Sequence, residues 1–250
     1  MKSNTIEEVI HRLEKIVGDA LQNGDRLGIF AQLYLGVTRR VKEGIAAGQF
    51  ENGERMERLD VLFANRYLDA YDAYLKNGQL SQSWKTAFDA AKKNKLLILQ
   101  HLFMGMNAHI NLDLGIAAFQ TVSPLELEGL KNDFLEINNI LINGIETVQG
   151  KLNRISPLLF LLDFFGKKSD EHLMEFSLKK SRAHAWKVAQ RLAKTSSVID
   201  RQKQVKELDG YVAVLNKLIT QPGIVGGALV RLVKWFETKN VRVVVEALEW

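Results

Sequence analysis

The 250-residue chain contains no cysteine and only three prolines. The absence of cysteine excludes disulfide scaffolds, cysteine-ligated metal sites and thiol nucleophiles, and it fits a cytoplasmic protein. So few prolines exclude a collagen-like or proline-rich fibre. Hydrophobic residues make up 46% of the chain and charged residues 25%, which excludes disorder as its main state.

The chain also has little excess charge of either sign. Lys and Arg number 34 against 29 Asp and Glu, which gives a formal net charge of +5. The basic residues occur in short pairs without a recognised nucleic-acid motif, so we expect no nucleic-acid partner. The first 21 residues mix charged and apolar positions, which is unlike a signal peptide. The sequence indicates no particular oligomeric state.

Apolar residues recur at helical spacing along almost the whole chain, beginning with Ile6, Val9, Ile10 and Leu13. We therefore predict an all-α protein, a single domain over residues 1–250 with about ten helices around a buried central helix. The first predicted helix ends at Asn23-Gly24, and a last amphipathic part follows residue 223. Between them we predict helices over about 25–47, 54–76, 81–93, 95–119, 124–149, 157–166, 169–194 and 198–220.

The predicted central helix has no Lys or Arg from Leu96 to Phe119. Its length would suffice to cross a bilayer, but its polar side chains would need partners in lipid, so we expect no integral membrane protein. A buried polar group without a partner costs about 1–3 kcal/mol, so groups elsewhere in the protein must satisfy these side chains. Gly105 and Gly115 indicate close approach of another backbone. The polar side chains are Gln100, His101, Asn107, His109, Asn111 and Asp113.

His109 and Asp113 are spaced i, i+4 and so lie together on one face of a helix. The first interpretation is a structural hydrogen-bonded pair, in which case Asp113→Leu should be tolerated better than His109→Ala. The second is a site for a divalent transition metal (zinc, iron or manganese), with Asp60 or Asp133 as a further ligand. The third is a metal-free catalytic or ligand pocket.

Two functions from different classes follow from this constellation. The first is a metal-dependent enzyme, hydrolytic or oxygen-dependent, with His101, Asn107 and Arg66 as further catalytic candidates. The alternative is a non-enzymatic module that holds an apolar small molecule or lipid between helices. A purely structural role for the buried polar groups is also consistent with the sequence.

The string LFMGMNAHINLDLGIA, from Leu102 to Ala117, resembles the signature of an uncharacterised bacterial family, domain-of-unknown-function family fifty-nine ninety-five. The resemblance implies an all-helical single domain of this size and no known activity. It extends over most of residues 25–195. It points to the same candidate site residues: His101, His109, Asp113, Asp60, Asp133 and Arg66. Weaker pieces occur in the same order: LDVLFANRYLDA (59–70), SWKTAF (83–88), NDFLEIN (132–138) and SRAHAW (181–186).

Overall fold

The structure is a computed structural model that describes residues 2–93, 95–158, 170–221 and 223–249. The described residues form eleven α-helices, one π-helical segment and one 3-10 turn, with no β-strand among them, which confirms the predicted all-α class. The α-helices are α1 (Ile6–Asn23), α2 (Leu27–Ala46), α3 (Gly53–Leu75), α4 (Gln82–Lys92), α5 (Ile98–Met106), α6 (Gly115–Thr121), α7 (Lys131–Ile155), α8 (Asp170–Lys194), α9 (Val198–Thr220), α10 (Gly223–Phe236) and α11 (Val241–Ala247).

The first helices begin and end where the local chemistry predicts. The Thr5 side chain accepts a hydrogen bond from the backbone N–H of Glu8 and so caps the start of α1. Gly24 ends that helix in the left-handed conformation, with φ of 63°. Ser81 caps α4 through the backbone N–H of Trp84, as expected from the sequence. The caps therefore set where these helices begin and end. The buried apolar face of α1 packs against α2.

The predicted central helix is present and buried, but its middle is not an α-helix. Helices α5 and α6 are joined by a π-helical segment, Asn107–Leu114, whose sequence is NAHINLDL. A π-helix has a wider turn than an α-helix, so side-chain angles derived from the α-helical repeat do not hold there. The π segment contacts α3, α4, α8 and α9. Such segments occur frequently at functional sites, which directs attention to its side chains.

The two glycines of the central helix approach different kinds of neighbour. A Cβ atom on Gly115 would lie 2.6 Å from the backbone oxygen of Ala185, so α6 and α8 meet backbone to backbone, as predicted. A Cβ atom on Gly105 would lie 2.4 Å from the ring of Phe30, which is a side chain and not a backbone. Gly105 therefore makes room for an aromatic ring of α2.

The predicted helix over 124–149 is wrong at both ends. A 3-10 turn, Leu127–Leu130, precedes α7, which then continues to Ile155. The start is displaced because the Ser123 hydroxyl donates to the Glu126 carboxylate at 2.7 Å, and this closes a turn around Pro124. The helix predicted over 157–166 falls almost entirely outside the described residues. Helix α9 has the predicted bounds.

Within the described part of the chain, every helix is too short or too polar to cross a membrane.

Candidate functional site

Asp113 lies at the centre of a buried polar group that three helices assemble. Its Oδ1 accepts a hydrogen bond from Arg66 Nε of α3 at 2.8 Å. Its Oδ2 accepts a hydrogen bond from Trp84 Nε1 of α4 at 2.7 Å. The same oxygen lies 3.3 Å from Nδ1 of His109. The predicted His109–Asp113 pair is therefore present, and the Asp113 side chain is only 2% exposed. The sequence identified Arg66 as a candidate but did not identify Trp84.

The charges of this group follow from opposing effects. Burial disfavours the ionised form of Asp113, but the charge of Arg66 and the hydrogen bonds from His109 and Trp84 outweigh it and hold its pKa below the usual value. Burial lowers the pKa of His109, and the attraction to Asp113 only partly offsets that effect. At neutral pH the pair is therefore a neutral imidazole beside a carboxylate.

The protonation of His109 is fixed by its partner. An ionised carboxylate can only accept hydrogen bonds, so Nδ1 of His109 carries the ring proton and Nε2 keeps a lone pair. Nε2 is buried and has no hydrogen-bond partner among the residues that the structure describes. This is an unsatisfied buried acceptor, and such groups are rare enough in folded proteins to require an explanation.

Aromatic side chains surround the His109 imidazole. The ring of Phe63 stacks on it, with centroids 3.6 Å apart and planes 6° from parallel. Tyr34 approaches it edge-on at 4.5 Å, and Phe30 does so at 5.9 Å. These rings come from α2 and α3 and were not predicted as site residues, because nothing in their local sequence indicates that they converge.

An apolar cavity of about 110 Å³ lies beside this imidazole, between α2, α3, the central helix, α7 and α8. Four of the lining residues carry polar groups: Tyr34, Asp60, His109 and Arg182. The rest of the lining is apolar: Phe30, Leu33, Val37, Val41, Met56, Leu59, Phe63, Leu99, Leu102, Phe103, Met106, Ile110, Leu114, Ile137, Leu141, Leu152 and Leu178.

Asp60 brings a second unsatisfied polar atom to the cavity wall. Asp60 is 7% exposed, and its Oδ2 has no hydrogen-bond partner in the described part of the chain. Burial, together with the nearby charge of Glu57, raises the pKa of Asp60 to about 7. The carboxyl group is therefore close to half protonated at neutral pH and can then donate a hydrogen bond.

Arg182 is a buried cation at the α7–α8 side of the same cavity. Its Nε donates to Asn138 Oδ1 at 2.6 Å, and its Nη2 donates to the backbone oxygen of Phe134. The guanidinium carbon lies 4.6 Å from the centre of the Phe134 ring. Burial lowers the pKa of Arg182 to about 9, so the group remains charged at neutral pH.

Asp133 does not lie with the His109–Asp113 pair. Its carboxylate accepts hydrogen bonds from the backbone N–H groups of Glu51 and Asn52 and from Arg55, at 2.6, 3.2 and 2.6 Å. It therefore holds the start of α3 against α7. The sequence offered Asp133 as a metal ligand, whereas in the structure its carboxylate pairs with the Arg55 cation.

His101 and Asn107 also lie apart from the cavity. His101 packs beside Arg26, whose Nη1 is 3.4 Å from its Nε2, and burial together with the charges of Arg26 and Lys234 lowers its pKa to about 3. Asn107 donates to the backbone oxygen of Val212 and to the side chain of Asn216, at 3.0 and 2.9 Å. Both residues thus fasten the central helix to its neighbours.

The predicted metal ligands do not come together as a set. Among the residues that the structure describes, no group of three or more His, Asp or Glu side chains is placed to hold a metal ion. Both oxygens of Asp113 already accept hydrogen bonds, and Arg66 places a positive charge beside them. A divalent cation would have to displace these donors and would be repelled by the guanidinium. The donor set therefore does not fit a metal.

A family model described as "Family of unknown function (DUF5995)" matches residues 6–222. The matched range contains the whole central helix, the polar group around Asp113 and every residue that lines the cavity. No curated protein and no solved structure matches the chain.

Proposed function

Because the chain belongs to DUF5995, a family whose description carries no function, we propose a function from the geometry: the protein binds a small, mostly apolar molecule in the cavity beside His109. The observation that carries this proposal is the pair of unsatisfied buried polar atoms, Nε2 of His109 and Oδ2 of Asp60, on residues that line an otherwise apolar cavity. Apolar cavities with a few polar groups at fixed places are typical of ligand sites.

The polar atoms define what the ligand needs. Nε2 of His109 is an acceptor and therefore favours a ligand with a donor such as a hydroxyl group. Asp60 accepts a hydrogen bond when it is ionised and can donate one when it is protonated, so it tolerates either type of partner. The apolar lining supplies most of the binding free energy, at about 0.8 kcal/mol for each buried methylene group.

This proposal is favoured over the metal-dependent enzyme. The enzyme hypothesis needs a ligand set around His109 and Asp113, and Asp113 is already engaged by Arg66 and Trp84. The cavity requires no such rearrangement of the polar group. A lone pair on a neutral imidazole in an apolar site also has the properties of a general base, so proton transfer without a metal remains compatible with ligand binding.

Titration calorimetry with a series of linear primary alcohols tests the proposal. Affinity is expected to rise about fourfold for each added methylene group until the cavity is filled, because each buried methylene contributes about 0.8 kcal/mol. Val37→Phe, which places a ring in the cavity, is expected to weaken binding of 1-octanol at least about tenfold.

The matched control is Val214→Phe. Val214 is 52% exposed on α9 and does not line the cavity, so this variant should bind 1-octanol as the wild type does. Absence of saturable alcohol binding to the wild type, or equal loss in both variants, would contradict the proposed function.

A further inference from the structure

The guanidinium of Arg182 has more donors than the described residues satisfy. Of its five N–H groups, one donates to Asn138 and one to the backbone oxygen of Phe134. Nη1 has no hydrogen-bond partner among the described residues, so three N–H groups remain, on Nη1 and Nη2. These two nitrogens form the end-on fork with which arginine binds a carboxylate through two parallel hydrogen bonds.

Within the described part of the chain, the charge of Arg182 also has no anionic partner. The residue is 4% exposed, and no described Asp or Glu forms an ion pair with it. An unpaired charge in a protein interior is costly, and a buried arginine usually has an anionic partner. The Phe134 ring and the two amide-type acceptors offset part of this cost, but they do not supply a negative charge.

The other described residues of the cavity wall do not supply that anion either. His109 is neutral at neutral pH because burial lowers its pKa. Asp60 is the only acidic side chain among the described lining residues, and its pKa of about 7 means that it loses its charge in mildly acidic solution. An apolar cavity with one fixed cation in its wall is complementary to a monoanion with an apolar body.

We propose that Arg182 is the anion anchor of the cavity and that the ligand is a monocarboxylate with an apolar body. This inference rests on the proposed function and specifies the chemical class of the ligand. The carboxylate occupies the free fork of Arg182, on the α7–α8 side, the apolar body extends along the lining towards Phe63, and a hydroxyl group on that body donates to Nε2 of His109. Arg182 thus selects carboxylates over alcohols of the same length.

A calorimetric comparison of octanoate with 1-octanol at pH 6 tests the anchor. At this pH octanoate is ionised, since carboxyl groups in water titrate near about 4 to 5, whereas Arg182 is charged and Asp60 is mostly protonated. Octanoate is expected to bind wild-type protein about ten- to a hundredfold more tightly than 1-octanol. In Arg182→Met the ratio of the octanoate affinity to the 1-octanol affinity is expected to fall to one or below, because the cation that binds the carboxylate is removed.

Arg201→Met is the matched control. Arg201 also lies over an aromatic ring, 5.4 Å from the centre of Phe119, but it does not line the cavity. This variant should keep the wild-type preference for octanoate. If Arg182→Met folds poorly, the comparison of octanoate with 1-octanol on the wild-type protein still tests the anchor.

The results separate the two proposals. Equal affinities of the wild type for octanoate and 1-octanol would overturn the anchor and leave the cavity as a ligand site. A preference for octanoate that persists in Arg182→Met would overturn the anchor as well. Failure of both compounds to bind the wild type would overturn the proposed function together with the anchor.

Discussion

Replacing Asp113 with leucine is expected to lower the free energy of unfolding by about 3–5 kcal/mol. The leucine would leave Trp84 Nε1 and His109 Nδ1 without an acceptor in the core and would remove the anion that pairs with Arg66. Each unsatisfied buried donor costs about 1–3 kcal/mol, whereas the Arg66 side chain is 28% exposed and can still reach water. Urea unfolding followed by circular dichroism measures the loss.

His109→Ala and Asp69→Leu are the comparisons for this variant. His109→Ala removes only one of the three donors to Asp113, so we expect a smaller loss of about 2–3 kcal/mol, mostly from the void that it leaves. Asp69 is exposed on α3, and Asp69→Leu should change stability by no more than about 0.5 kcal/mol. The sequence predicted the opposite order for Asp113 and His109, since it showed one partner for Asp113 where the structure has three. A larger loss in His109→Ala would contradict the role of Asp113 as the acceptor at the centre of the group.

Asp60→Asn is expected to stabilise the protein by up to about 4 kcal/mol at pH 8. The wild-type pKa of about 7 lies roughly three units above the value of 3.8 for a free aspartate, and each unit corresponds to about 1.4 kcal/mol. Because the folded-state pKa is raised, the unfolded chain releases this proton first, and wild-type stability falls as pH rises from about 4 to about 7. The gain from Asp60→Asn should therefore shrink to about 1 kcal/mol at pH 4.5.

Unfolding by urea at both pH values measures this difference. Asp69→Asn, at an exposed aspartate of the same helix, should show no comparable dependence on pH. The groups that face Asp60 are Glu57 on its own helix and Tyr34 on α2, and both remain unchanged in the variant. An equal gain at pH 4.5 and pH 8 would show that Asp60 is ionised throughout, which would contradict its burial as a weak acid.

The sequence predicted well the features that depend on residues close together in the chain. The bounds of α9 follow from the Ser197 cap and the Gln-Pro-Gly break. The burial of the central helix follows from its apolar composition, and the His109–Asp113 pair follows from the i, i+4 spacing, which keeps the two side chains on one face even in the π segment. These inferences need no information about distant parts of the chain.

The features that the sequence did not predict depend on contacts between distant residues. Asp133 meets Arg55 across 78 positions, and Asn107 meets Asn216 across 109, so no spacing rule could pair them. No local signal marks the π segment in the sequence, because its wider turn is set by backbone hydrogen bonds and by the helices packed around it. The aromatic rings around His109 come from separate helices and converge only when the helices pack. The cavity likewise results from packing.

The central claim is that a ligand site lies beside His109, and methyl-resolved NMR tests it most directly. Titration of protein labelled at Ile, Leu and Val methyl groups with 1-octanol should shift Val37, Ile110 and Leu114, which line the cavity. Leu208 and Val212, which pack in a separate apolar cluster, should not shift. Saturable shifts confined to the first group are the predicted result. Shifts confined to the second group, or no saturable shift in either, would contradict the account.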